Sequence, residues 1–284
     1  MGKGRIMKMH TNLVEAKKHL SFREAWVGAL IALGFLILML KNTVYETADV
    51  AEQWNGVFQD IRTYDSTLTA FLIVTGLSRL MCYERERKTD ELLFTATNGK
   101  KIVFFSKTGF AALYCLLSVT LIGTVSLLVH GASFGFADAS GPVKYCSYYS
   151  VEGLPPMSNL VYGIVQYLFL FLGALCMAGF VLILGVLTQR TALTMSIAGG
   201  SYLVLLVYYY MNGGPLRGAA LTIADTVFRF SFVGFMMQDT FAWGSVVGAP
   251  GVWSDVWKPV LAVLCIVTAE GVLLWLLWRR RAKK

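Results

Sequence analysis

Charge is what this sequence has least of: 15% of its 284 residues are Asp, Glu, Lys or Arg, against 56% hydrophobic and a mean hydropathy of +0.60. A soluble domain carries about a quarter charged residues, so this composition excludes that class and points to a polytopic membrane protein. Nucleotide-binding and hydrolytic signatures are missing as well. No G-x-x-x-x-G-K-[ST] occurs, because Gly99-Lys100-Lys101 lacks both the upstream glycine and the hydroxyl residue, and the chain cannot cradle ATP by that device. G-x-S-x-G, H-E-x-x-H and C-x-x-C are absent too. The five cysteines are an odd number without paired spacing: Cys82, Cys115, Cys176 and Cys265 lie in or beside apolar runs, and Cys146 stands in a polar loop. That pattern gives neither a disulfide framework nor a zinc site. His10, His19 and His130 have no carboxylate or Cys partner close by in sequence. No catalytic residue, metal site or bound cofactor is expected. Internal repeats are absent, and the mostly polar first two dozen residues argue against a cleaved signal peptide.

What is present is apolar length. Six runs, roughly 25–40, 66–83, 108–130, 159–187, 192–211 and 259–278, approach the ~20 residues a helix needs to cross the bilayer core. The expectation is an all-α chain, one transmembrane domain over residues 1–284 with six transmembrane helices. Trp26 and Lys41 flank the short first run and can anchor it, while the long fourth run has room to tilt. Only Gln189-Arg190 and their neighbours separate the fourth and fifth runs, so these form a tight hairpin. Gly173, Gly179, Gly185, Gly199 and Gly200 in those two runs permit close helix contact. Of the 25 Lys and Arg residues, all but Lys41, Arg62, Lys144, Arg217, Arg229 and Lys258 fall on one side of these spans. The positive-inside rule places that side, with both termini, in the cytoplasm. The same asymmetry explains the net charge of +8 without any nucleic acid.

The segments between spans differ in kind. Residues 1–24 are basic and end in the capping box Ser21-Phe22-Arg23-Glu24, which predicts an amphipathic helix on the membrane surface; a disordered basic tail is the alternative. Residues 42–65 read as an acidic, polar outer loop, and 131–158 as an irregular one rich in Gly, Ser, Pro and Tyr. Residues 212–258 are too apolar for an ordinary loop. A re-entrant or interfacial helical segment fits them, and an extra pair of spans is the competing reading.

The most informative stretch is the cytoplasmic island 84–107. Glu84, Arg85, Glu86 and Arg87 open it. Thr89 and Asp90 can then cap a short helix, with Asp90 and Glu91 at its favourable N-terminal end and Leu92, Leu93 and Phe94 as its apolar face. Asn98-Gly99 offers a left-handed stop, with Lys100 and Lys101 beside the C-terminal end. A helix of that kind at a membrane surface binds a partner; the plain alternative is a solvated loop with a basic flank. Within the spans, Arg79 near the cytoplasmic end of the second and Glu270 inside the sixth stand out, because a mid-bilayer charge costs about 2.5–3.5 kcal/mol on insertion scales. Glu270 reads either as a pathway residue, paired with Arg79, or as a hydrogen-bonded packing group.

Together, six spans, cytoplasmic termini, a surface helix and a charged helix between spans two and three resemble an ATP-binding cassette (ABC) transporter permease, and more closely the type-two exporter permeases of bacteria. In that family an acidic residue, a short apolar stretch, a small-polar turn with Gly and a base, then a Lys opening span three follow the second span. Here Glu84 or Glu86, Leu92-Leu93-Phe94, Thr95 to Lys100, and Lys107 look like those positions, with Asn98 where many members carry Pro or Ser. The resemblance implies that 84–107 is a coupling segment seated in a separate ATPase subunit, through Glu84, Arg85, Glu86, Arg87, Asp90, Glu91, Leu92, Leu93, Phe94, Gly99 and Lys100. It implies ATP and Mg on that partner, a second permease copy or related permease beside this one, and the bacterial cytoplasmic membrane as location. Peptides, antibiotics, lipids or glycans are the cargo classes it suggests. Two other readings stand: a gradient-driven transporter or channel using Glu270, and a membrane assembly or immunity subunit that transports nothing.

Overall fold

The computed structural model describes residues 27–34, 49–87, 89, 99–146, 149–211, 219–238 and 251–281. Among them every regular element is helical, and strand-like pairing is limited to the isolated bridges Pro142–Ser158 and Tyr149–Gly251. Among the described residues four helices are long and apolar enough to cross a membrane, lying at Lys101–Phe134, Asn159–Thr188, Thr191–Tyr210 and Trp253–Arg280. With no water to satisfy amide groups in the hydrocarbon core, a helix that closes its own hydrogen bonds is the natural solution for such runs. The surface helix expected over 1–24 lies outside the described residues.

Residues 50–77 are helical throughout, in three pieces: α1 (Val50–Asp60), a π-turn (Ile61–Asp65) and α2 (Ser66–Leu77). The expected outer loop over 42–65 is therefore corrected from Val50 onward. Asp49 caps the start by accepting from the Val50 N–H at 2.8 Å, and Glu52 sits in the first turn where the dipole favours it. Trp54, Val57, Phe58 and Ile61, spaced i, i+3, i+4, i+7, form a fully buried stripe. The polar residues around them disguise it. After α2 the chain turns through Ser78–Cys82 into the single turn α3 (Tyr83–Glu86).

Helix α4 runs from Gly99 to Phe134, roughly 54 Å at 1.5 Å per residue, well beyond a ~30 Å core. It starts earlier than residue 108, so Lys100 and Lys101 lie in the first turn of a helix, at its positive dipole end. That corrects the expectation that Gly99 stops the chain there with both lysines beside a C-terminus.

The centre of the molecule is α5 (Asn159–Thr188), which carries no charged residue and buries side chains from Asn159 to Val186. Against it pack α2, α4, α6 (Thr191–Tyr210), the short α8 (Phe232–Met236) and α9 (Trp257–Arg281). Gln189, in the left-handed conformation at φ 57°, and Arg190 alone separate α5 from α6. The stretch 27–34 leans on α2: Ala32 is buried with Leu68, Leu72 and Ile122, and Gly28 faces Thr75. In contrast, α6 and α9 present exposed apolar faces, including Leu203, Val204 and Val207 on one and Leu261, Leu264 and Leu273 on the other.

Between α6 and α9 the described chain contains α7 (Ala219–Arg229) and then α8. Helix α8 lies antiparallel along α5: Phe232 stacks on Phe180 at 5.0 Å, Met236 faces Gly173, and Gln238 Nε2 donates to Gln166 O at 3.1 Å. Its backbone reversal is satisfied locally, Ser231 accepting from the Gly234 N–H and donating to Phe228 O. A Cβ at Gly173 would sit 2.5 Å from the Met236 backbone nitrogen, whereas one at Gly200 on α6 would meet nothing within 4 Å. Gly173→Ala is therefore expected to lower thermal stability in detergent by about 1–3 kcal/mol through overpacking, despite alanine's better helix propensity. Gly200→Ala should leave the melting temperature unchanged or raise it. Equal melting temperatures for the two variants would contradict the α5–α8 contact.

Candidate functional site

The ends of four helices meet around one lysine. Lys107, two turns into α4, is fully buried, and its ammonium donates to the Glu84 carboxylate of α3 and to the Leu80 carbonyl beyond the end of α2. It also lies 5.9 Å from the Trp278 ring centroid of α9. A cation is well placed here, because the last turn of a helix leaves carbonyls without intrahelical donors. Glu84 is only 4% exposed. In so dry a site each charge is tolerable only while the other is present.

A second set of contacts extends this clasp to α6. Glu86 Oε1 accepts from the Thr191 N–H at 2.7 Å, satisfying a donor in the first turn of that helix. Its other oxygen lies 4.0 Å from Arg79 Nε, while Arg79 and Arg87 both sit against the Tyr83 ring, at 5.5 and 5.7 Å. Beneath them Cys82 Sγ donates to Gly185 O of α5 at 3.5 Å. Thr89 closes the turn, its N–H donating to Glu84 O at 2.9 Å. One turn of helix thus holds the ends of α2, α4, α5, α6 and α9 in register.

The expected partner-contact residues divide accordingly. Arg85, Glu86 and Arg87 are exposed, whereas Glu84 is turned inward and committed to Lys107. Gly99 and Lys100 lie in the first turn of α4. Asp90, Glu91, Leu92, Leu93 and Phe94 lie outside the described residues, and so does the helix expected there. No family model and no curated protein matches the chain.

Arg79 and Glu270 are not brought together. Arg79 belongs to the clasp, while Glu270 on α9 faces α5, where its Oε1 accepts from Cys176 Sγ at 3.7 Å and its Oε2 abuts Gly179. Among the described residues Oε2 has no hydrogen-bond partner. No group of three or more His, Cys, Asp or Glu able to hold a metal occurs among the described residues.

A buried polar seam at the other end of the bundle escaped the sequence reading. Asp60 Oδ2 lies 3.4 Å from His130 Nε2, and Tyr167 donates to Asp65 Oδ2 at 2.7 Å, with the Ser126 hydroxyl facing the same carboxyl. Gln166, fully buried, comes next along α5. Asp60 and Asp65 are five residues apart and would point apart on a regular α-helix; the wider π-turn between them brings both toward α4 and α5. The missed signal was the apolar spacing of Trp54, Val57, Phe58 and Ile61. The seam has the composition of interhelical glue, polar groups pairing across helices that lipid cannot otherwise hold together.

The clasp predicts a non-additive pattern. Glu84→Ala or Lys107→Met alone should destabilise the protein by about 3–5 kcal/mol, since each leaves one buried charge unpaired. The double variant Glu84→Leu, Lys107→Met should lose less than either single, as read from thermal unfolding in one detergent. Strict additivity would show that the two side chains do not meet.

Proposed function

We propose that the chain is the membrane-spanning permease of a bacterial ABC exporter, coupled to a separate ATPase subunit that holds ATP and Mg. The observation that carries this reading is the clasp. A segment that must convert an ATPase movement into a change of access needs a rigid joint to the spans, and α3 is tied by buried, charge-assisted bonds to the cytoplasmic ends of α2, α4 and α6. A loop that served only as a connection would not need a desolvated ion pair. In this reading the four long apolar helices are joined as spans by the helix containing 27–34 and by the run 50–77. Both termini are then cytoplasmic, and α7 with α8 forms the re-entrant segment on the outer side, its polar backbone shielded by α5. A second permease, a copy or a relative, completes the path.

Mechanistically, closure of the ATPase subunits moves residues 88–98. The movement passes through Glu84 to Lys107 and through Glu86 to Thr191, so α4 and α6 shift with α3. The exposed guanidiniums of Arg85 and Arg87 give orientation and partner choice more than affinity. Accordingly, Arg85→Glu with Arg87→Glu should reduce co-purification of a P-loop ATPase by about tenfold, a change of ~1.4 kcal/mol. Replacing residues 89–98 by a Gly/Ser linker should abolish it. A chain that purifies alone and transports without nucleotide would overturn the reading.

One observation favours a second reading, a gradient-driven transporter: the Glu270 carboxyl, half-buried between α9 and α5 with one oxygen unsatisfied among the described residues. A group so placed can take up and release a proton as α9 moves along α5. Glu270→Gln should then abolish transport driven by a pH gradient in proteoliposomes. Retention of nucleotide-driven transport within about twofold in that variant would instead assign Glu270 to packing.

A further inference from the structure

On the lipid-facing side, α4 and α9 leave a groove of about 380 Å³ lined by Phe104, Phe105, Thr108, Thr268, Gly271 and Trp275. Two stripes make its walls. On α4, Lys101, Phe104, Phe105 and Thr108 follow helical spacing; on α9, Thr268, Gly271, Trp275 and Arg279 do the same. The helices touch at the cytoplasmic end through Trp275, which packs on Phe104 at 4.9 Å and on Phe105 at 6.0 Å. Farther from that end, at Gly271, a Cβ would meet nothing within 4 Å, so the groove stays open between the helices.

Both stripes end in positive charge at the same level. Lys101 and Arg279 are exposed one turn beyond the aromatic floor, with Arg280 beside them, and the Arg279 guanidinium lies 6.0 Å from the Trp275 ring centroid. The first turn of α4 carries no acidic residue. That turn is also the positive dipole end of a long helix, where basic residues are out of place unless an anion joins them. From Thr268 to Trp275 the groove covers roughly 10 Å of helix, and with Arg279 one turn beyond as its rim the site spans roughly 16 Å, about half of a ~30 Å hydrocarbon core. An apolar slot one leaflet deep, with a cationic rim at the headgroup level, has the shape and charge of an amphiphile with one anionic head.

We propose that this groove binds an anionic phospholipid of the cytoplasmic leaflet, its acyl chain along Gly271 and the Phe105–Trp275 floor and its phosphate against Lys101, Arg279 and Arg280. A second copy of the chain fits the face less well. Packing two copies about a two-fold axis on this groove would bring two cationic rims together at one depth, an unfavourable opposition of like charge. Basic pockets between helices on the cytoplasmic side are a recurring form of lipid recognition. The site is independent of what the chain transports, and stands or falls separately from the permease reading.

The test uses the full-length protein purified in mild detergent, exchanged with phosphatidylglycerol or phosphatidylcholine of the same acyl chains, and examined by native mass spectrometry. Phosphatidylglycerol should be retained in preference, and Arg279→Gln or Lys101→Gln should each weaken its retention roughly fivefold. Gly271→Trp should fill the groove and remove retention, while Gly200→Trp, on the open face of α6, should not. The Arg→Gln and Lys→Gln changes lie on an exposed rim, so loss of lipid in those variants is not a folding failure. Equal retention of the two lipids, or undiminished retention in Gly271→Trp, overturns the proposal. So does a Gly271→Trp variant that keeps its lipid and changes from dimer to monomer, which would give the groove to a second copy.

Discussion

The helix ends that meet at Lys107 depend on keeping one ammonium group out of water. Lys107 is buried deeply enough that it must be neutralised, and Glu84, the carboxylate that pairs with it, lies on the far side of the charged island in sequence. That requirement fixes where the chain can go between α2 and α4. The turn Ser78–Cys82 must reverse direction just enough to present the Leu80 carbonyl and to lay α3 across the lysine. Once α3 is there, Glu86 reaches the first turn of α6 and Tyr83 receives two guanidiniums. A buried ion pair is weak evidence for stability, because apolar replacement is often as good. It is stronger evidence for position, since a half-broken pair is intolerable and only one arrangement satisfies both charges.

The second constraint is the bilayer's refusal of unsatisfied backbone. Helix α5 meets it by being uninterrupted and uncharged, and so becomes the post on which other elements lean. Helix α8 meets it differently. Its short length leaves amides to satisfy at both ends: the Gly234 N–H donates to Ser231 Oγ at the start, and the Met237 and Gln238 N–H groups donate to the Val233 and Phe235 carbonyls at the finish. Gly173 makes this possible by letting the two backbones approach where any side chain would hold them apart. The apolar but broken sequence of 219–238 is what such a segment requires.

Reading the sequence succeeded where one property dominates and failed where two compete. Scarce charge and long apolar runs revealed an all-helical chain, and four of the six expected runs stand among the described residues as helices long and apolar enough to cross a membrane. Gln189-Arg190 marked the α5–α6 turn because Arg190 is the only charge between Asn159 and Tyr210. Lys107 was visible as the residue opening the third run, but nothing in the sequence reveals that Glu84 turns inward to meet it while Glu86, two positions on, turns outward. Residues 50–65 were misread because Asn55, Asp60, Arg62 and Asp65 look like solvated loop. They belong to a helix whose polar side chains are partly buried against other helices. A π-turn defeats regular 3.6-residue periodicity at the same place. Asp60, Asp65, His130 and Tyr167 come from three separated stretches, and only the packing of α1, α4 and α5 brings them together.

The clasp and the polar seam lie at opposite ends of the same rigid helix. Gly185 of α5 accepts from Cys82 beneath the clasp, Gly179 receives Glu270, Gly173 receives α8, and Gln166 and Tyr167 enter the seam. An uninterrupted helix of 30 residues does not compress, so a displacement at its C-terminal end has to appear at its N-terminal end as sliding or tilt. The glycines and single hydrogen bonds along its length can re-pair a turn away, while the buried large side chains such as Tyr162, Leu170 and Met177 hold its register. The charged pair at Lys107 adds to that hold. Slippage there would strand a buried charge, so it couples the helices that meet at Lys107.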